Sequence, residues 1–169
     1  MKAKATFLGH PVHPMWIVFP LGLFPVAAIF DISYLCTTNG QWAVVSYWLI
    51  AAGIIGGLIA AIFGFVDWLA LPSGTRAKAL GLFHGLTNFI VVVLFIISWF
   101  LRRPNPAAID LLPIILCFIA VALALLGGWL GGELVYRMNV GVDAGGHLDS
   151  PNSLSGRPAP ETARPPQSL

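Results

Sequence analysis

Four long runs of apolar residues, separated by short polar segments, make up most of the first 142 residues. They cover residues 15–36, 42–71, 80–101 and 109–135. Each is long enough to cross a hydrocarbon core of about 30 Å, which takes roughly 20 helical residues. Apolar and polar residues do not alternate within them, as they would in a transmembrane barrel. Because backbone polar groups must be satisfied internally in lipid, the pattern predicts an all-α integral membrane four-helix bundle.

Composition supports a membrane protein and divides the chain in two. Hydrophobic residues make up 57% of the chain and charged residues 9%, and the mean hydropathy is +0.84, which leaves too little polar surface for a soluble globule. The net charge of +2 is too small and too scattered for nucleic-acid binding. Residues 143–169 are rich in Pro, Ser and Gly. We therefore predict a four-span domain over residues 1–142 and a disordered tail over residues 143–169.

The basic residues next to the four runs predict the orientation. Five lie beside the two termini and the second connection: Lys2, Lys4, Arg76, Lys78 and Arg137. The third connection carries Arg102 and Arg103, and the first carries none. By the positive-inside rule both termini are predicted to be cytoplasmic. The expected location is the bacterial inner (cytoplasmic) membrane, as a multi-pass protein.

Two histidines stand immediately before the first run, in the segment GHPVHPM at residues 9–15. His10 and His13 each precede a proline, which favours extended backbone at both. Pro14 suits the first helical position, so His13 is predicted to be the helix cap. In a polyproline turn the two side chains would project from one edge, about 9 Å apart.

Other polar residues fall on single helix faces near the same end of the predicted bundle. Small residues, which mark close helix contacts in membranes, form one stripe with an acid in the second run: Gly53, Gly57, Ala60, Gly64 and Asp67. In the third run His84 and Asn88 share a face with Gly81. Glu133 and Arg137 have the i, i+4 spacing of an ion pair. We therefore predict that Asp67 faces inward and that the polar residues of all four helices converge on one leaflet.

These segments carry a resemblance to a known family. The segments GHPVHPM, GFVD at 64–67, the His84/Asn88 pair and GGWLGGELVYRMNVGV at 127–142 resemble the domain of unknown function 2231 family of small membrane proteins. That family is similar to four-helix cytochrome b-type domains, and some members are joined to Rieske iron–sulfur domains. The resemblance implies one b-type haem and an electron-transfer role.

The same resemblance implies the residues of a haem site, which are His10, His13, His84, Asn88 and Met138. The histidines are the candidate axial ligands or haem-edge contacts. Met138 stands where the family usually has a histidine, and a methionine thioether can itself ligate haem iron. Gly81 and Gly85 are expected to leave room for the macrocycle. The expected partners are membrane lipid and a redox partner such as a Rieske-type protein or a quinone, and a homo-oligomer stays open.

Two other functions remain open at this point. One is a Zn- or Fe-dependent membrane hydrolase, whose metal ligands would come from one set of side chains: His10, His13, His84, Asp67 and Glu133. No H-E-x-x-H or comparable motif fixes such a site. The other is a scaffold or transporter subunit in which the same cluster is a polar plug. The sequence does not decide whether the protein is an enzyme.

Overall fold

The protein is a bundle of four long helices, seen here in a computed structural model that describes residues 1–162. The helices are α1 (Val12–Thr37), α2 (Gly40–Leu69), α3 (Arg76–Arg102) and α4 (Leu111–Gly132), and a π-helix (Glu133–Arg137) continues α4 directly. All four are long and apolar enough to cross a membrane. The predicted four-helix membrane bundle is confirmed, with helix ends within about four residues of those expected.

Short polar signals set the helix ends. The side chain of Asn39 accepts a hydrogen bond from the Gln41 backbone N–H and caps α2, and Thr75 caps α3 in the same way. Before α1, the strands β1 (Thr6–Phe7) and β2 (His10–Pro11) form a small antiparallel hairpin. The chain therefore enters α1 from a tight turn rather than from a polyproline segment.

The four helices form two pairs. Packing is most extensive between α1 and α2 and between α3 and α4, and it is sparser between the pairs. We call the interface between the two pairs the seam. Near its middle the rings of Phe24 and Phe95 stack with centroids 3.7 Å apart, and Gly53 lies against Phe24 so closely that a Cβ would collide with the ring. The outer surface is covered by exposed Leu, Ile, Val and Phe side chains, as expected for a lipid-facing bundle.

A buried polar cluster lies at the end of the bundle that holds the C-terminus of α3, which we call the arginine end. Arg102 donates to both carboxylate oxygens of Asp31 at 2.7 Å. Its remaining N–H groups reach the hydroxyls of Ser46 at 3.0 Å and Ser98 at 3.2 Å and the Pro113 carbonyl at 3.2 Å. All five guanidinium N–H groups therefore have acceptors, and the acceptors come from all four helices.

This cluster corrects two predictions from the sequence. Arg102 is not in the third connection but is the last residue of α3 and is buried. The polar residues of the four helices do not all converge on one end, because Asp31, Ser46 and Ser98 are buried at the arginine end. Since the Arg102 charge is neutralised there, Arg103 is the one basic side chain at this end without a carboxylate partner in the described residues. The predicted orientation, with both termini cytoplasmic, stays a prediction.

Beyond the π-helix the chain contains turns and bends. Residues 143–162 form neither helix nor strand, and the predicted disorder of the tail stays a prediction. Lys2 and Asp143 form an exposed ion pair at 3.1 Å between the two ends of the four-span domain. The last seven residues of the predicted disordered tail, 163–169, lie outside the described residues.

Candidate functional site

His13 lies in the first turn of α1 and packs against α2. The helix begins at Val12 with Pro11 as its cap, so the prediction that His13 is the cap was wrong. The ring rests on Gly64, where a Cβ would come within 2.8 Å of Nδ1. Nδ1 lies 2.8 Å from the Ala60 carbonyl oxygen. Because a carbonyl oxygen can only accept, Nδ1 carries the hydrogen and donates, which leaves the lone pair of a neutral ring on Nε2.

His84 has the matching arrangement on α3. Its Nδ1 lies 3.0 Å from the Gly127 carbonyl oxygen of α4 and donates to it. Gly131, one turn further along α4, lets the ring approach, since a Cβ there would lie 3.2 Å from His84 Cε1. Asn88 packs against Gly127 and donates from Nδ2 to the His84 carbonyl oxygen at 2.8 Å. The predicted shared face of His84 and Asn88 is confirmed, and it faces α4.

The two rings meet across the seam. Their centroids are 6.2 Å apart and their planes are 82° from parallel. Each ring is fixed by its own helix pair, His13 by α2 and His84 by α4. In the part of the chain that the structure describes, neither Nε2 atom has a hydrogen-bond partner. The arrangement holds two half-buried imidazoles side by side, with both Nε2 lone pairs uncommitted.

His10 is not part of this pair. It lies in β2 opposite Phe7, and its side chain is exposed. Its Nε2 lies 3.4 Å from the Oγ of Ser153. The prediction that His10 and His13 project from one edge of a polyproline turn was wrong, because a hairpin ends at Pro11 and α1 begins immediately after it.

Asp67 faces inward as predicted, but it binds the chain's own backbone. Its Oδ1 accepts from the backbone N–H groups of Lys4 at 2.7 Å and Ala5 at 3.0 Å. The Ala5 carbonyl in turn accepts from the Val12 N–H at 2.9 Å. Asp67 therefore ties the N-terminal segment to the end of α2, beside the start of α1.

Glu133 and Arg137 do not form the predicted ion pair. Glu133 instead lies 3.8 Å from Arg76 Nη2, and Arg137 has no carboxylate partner among residues 1–162. The i, i+4 expectation assumes an α-helix, whereas these residues lie in a π-helix with i→i+5 hydrogen bonds. Met138 follows the π-helix and is half-buried.

The metal set that the sequence suggested is not brought together. Within residues 1–162, no group of three or more His, Cys, Asp or Glu side chains is arranged to hold a metal ion. Of its five members, His13 and His84 are neighbours, His10 lies in the hairpin, Asp67 binds backbone and Glu133 lies beside Arg76. What remains is a two-imidazole site.

The prediction that Gly81 and Gly85 leave room for a cofactor beside His84 was also wrong. The room at Gly81 is taken by Trp68, whose Cδ1 would lie 2.8 Å from a Cβ there. Gly85 is exposed and has no atom near its missing Cβ, so it faces away from the bundle. The glycines that matter for the site are Gly64 and Gly131, which the two imidazoles approach.

A family model described as "Predicted membrane protein (DUF2231)" matches residues 9–144. The chain belongs to the DUF2231 family. The matched region of this DUF2231 protein contains both histidines of the seam, all four helices and the π-helix. No curated protein and no solved structure matches the chain.

Proposed function

We propose that this DUF2231 protein binds one b-type haem between His13 and His84 and has an electron-transfer role in the bacterial inner membrane. The observation that carries the proposal is the pair of facing imidazoles. Each has Nδ1 bonded to a backbone carbonyl and Nε2 uncommitted, and their centroids are 6.2 Å apart.

The donor set suits haem better than a bare metal ion. A structural zinc site takes four protein ligands and a catalytic one takes three, whereas the described residues give no such group. Haem brings nitrogen ligands of its own and needs few from the protein. His13 and His84, whose ring centroids are 6.2 Å apart, would hold it.

The packing of the bundle also suits a flat group. The rings meet edge to face across the seam, and the two helix pairs pack more sparsely there than within each pair. His13 and His84 would hold a planar group from the two sides of the seam, one ring from each helix pair. His10 is exposed in the hairpin, which favours His13 as the second ligand.

The surrounding residues would hold the ligands in a defined state. A hydrogen bond from Nδ1 to a carbonyl fixes the tautomer and ring orientation and raises the basicity of Nε2. Ala60 and Gly127 supply these carbonyls, and Asn88 is a positioning residue that holds the His84 backbone. When bound, haem supplies a one-electron couple. A quinone or a Rieske-type protein at this end of the bundle would be the redox partner.

The test is the visible spectrum of protein purified from cells supplied with haem precursor. The wild type should show sharp α and β bands on reduction. His13→Ala and His84→Ala should each lose them, because each removes one axial ligand. The matched controls His10→Ala and His147→Ala should keep them. Wild-type protein that contains no haem, or loss of the bands in the controls alone, would contradict the haem proposal. Either result would favour the scaffold or transporter function.

Two further measurements distinguish ligation by two histidines from ligation by a histidine and Met138. The rings are 82° from parallel, so the oxidised protein should give the large-g low-spin EPR signal typical of near-perpendicular imidazole planes. Met138→Ala should leave the reduction potential unchanged if both ligands are histidines. A marked fall in potential would instead assign Met138 as a ligand, since His/Met ligation raises it.

A further inference from the structure

A pocket lies on the outer side of α4 at its junction with the π-helix. Its volume is about 260 Å³. The lining comes from one continuous segment: Trp129, Gly132, Glu133, Tyr136 and Arg137. Trp129 is 61% exposed and Tyr136 is 86% exposed. Two large aromatic side chains therefore project from the helix, and Gly132, which has no side chain, leaves space beside them. Trp and Tyr at the end of a span are typical of the membrane–water interface.

Two opposite charges line this pocket without neutralising each other. Glu133 and Arg137 are four residues apart, and in an α-helix this spacing allows residues of opposite charge to form an ion pair. In the π-helix they form no ion pair, and neither side chain has a hydrogen bond within residues 1–162. Glu133 does form a long ion pair with the exposed guanidinium of Arg76, whose Nη2 lies 3.8 Å from Glu133 Oε2, beyond hydrogen-bond distance. The pocket therefore presents to one ligand the guanidinium of Arg137 and a carboxylate that accepts no hydrogen bond within residues 1–162.

We propose that this pocket binds the headgroup of a zwitterionic ethanolamine phospholipid. The phosphate fits the Arg137 guanidinium, which offers several N–H donors to phosphate oxygens. The primary ammonium fits the Glu133 carboxylate, and the acyl chains continue along Trp129 toward the apolar face of α4. Phosphatidylcholine carries no N–H group to donate to Glu133, and phosphatidylglycerol carries no cation there. The site is independent of the haem proposal, since it lies on the lipid-facing side of α4.

The test is lipid binding by native mass spectrometry. The full-length protein in detergent is titrated with palmitoyl-oleoyl phosphatidylethanolamine, phosphatidylcholine or phosphatidylglycerol, so that only the headgroup differs. We expect the first bound ethanolamine lipid to be held about three- to tenfold more tightly than the choline lipid, as for one hydrogen bond of ordinary net strength. Glu133→Gln should abolish this preference. Arg137→Gln should weaken binding of all three lipids.

Arg103→Gln, at the arginine end, is the matched control and should change none of these affinities. Far-UV circular dichroism of each variant shows that the helices are intact, and Glu133→Asp should retain part of the preference if a variant proves unstable. Equal binding of ethanolamine and choline lipids by the wild type would overturn the proposal. So would a preference for phosphatidylglycerol, or a loss in Arg103→Gln as large as that in Arg137→Gln.

Discussion

Removing one partner of the buried Asp31–Arg102 pair should destabilise the bundle severely. Both side chains are fully buried, and Asp31 accepts two charge-assisted hydrogen bonds of 2.7 Å. At about 1.5–3 kcal/mol per charged bond, the two contribute about 3–6 kcal/mol. This agrees with the cost of about 3–5 kcal/mol for leaving a buried charge unpaired. We therefore expect Asp31→Leu and Arg102→Met each to lower the free energy of unfolding by about 3–5 kcal/mol.

The double variant separates the pair from its surroundings. With both charges gone, no buried charge lacks a partner, and Ser98 still donates to the Pro113 carbonyl oxygen at 2.7 Å. We expect Asp31→Leu/Arg102→Met to be no less stable than either single variant. The assay is unfolding by SDS titration in mixed micelles, followed by circular dichroism. Arg103→Met is the control, since Arg103 lies over the rings of Trp99 at 5.4 Å and Phe100 at 5.5 Å, contacts worth about 0.5–1 kcal/mol each at an exposed site.

Two results would refute this reasoning. Additive effects of the two single substitutions, to within about 0.5 kcal/mol, would mean that the residues do not interact. A loss in Arg103→Met equal to that in Arg102→Met would mean that the basic charge at this end matters, and not the buried pair.

Two further predictions concern packing and orientation. Gly64→Val should displace the His13 ring, because a Cβ at that position comes within 2.8 Å of Nδ1. Thermal unfolding in detergent should show a clear loss of stability. The control Gly22→Val, whose Cβ has no neighbour within 4 Å, should be as stable as the wild type. Equal losses in both variants would contradict this packing. Reporter fusions at Asn39 and Pro106 should both give the periplasmic signal, and a cytoplasmic signal from either would exclude the predicted orientation.

The helices and their inward faces could be predicted from the sequence because lipid imposes simple rules. A spanning helix needs a long apolar run, and a stripe of small residues marks the side that packs. The stripe ending at Asp67 does face α1, through contacts of Gly53 with Phe24 and of Gly64 with His13. Where backbone geometry departs from a regular helix these rules do not apply, as at the hairpin of His10.

The buried arginine cluster was missed for a different reason. Arg102 and Arg103 follow an apolar run, so the sequence pattern places both in a connection, because it defines helix ends only to within a few residues. One signal was present. Asp31 lies inside an apolar run, and an acid in a span needs a partner; the only basic residues at that end are Arg102 and Arg103. Which of the two is buried depends on the rotation of α3, which composition does not reveal.

The site itself could be predicted only in part. The pairing of His84 with Asn88 follows from helical spacing. The partner of His84 across the bundle depends on how the two helix pairs associate, and this long-range packing left His10, His13 and Met138 equally open. The separation of Glu133 from Arg137 depends on the π-helix, for which the sequence GGELVYR carries no local signal that we identify.

The most direct test of the central claim is the haem content per polypeptide chain, measured on the wild type and on the His13→Ala/His84→Ala variant. Both proteins are purified from cells supplied with haem precursor. The facing imidazoles of the seam predict about one haem per chain in the wild type and none in the double variant, with both proteins equally helical. A wild type without haem, or a double variant that retains it, would contradict the assignment of His13 and His84 as the axial pair.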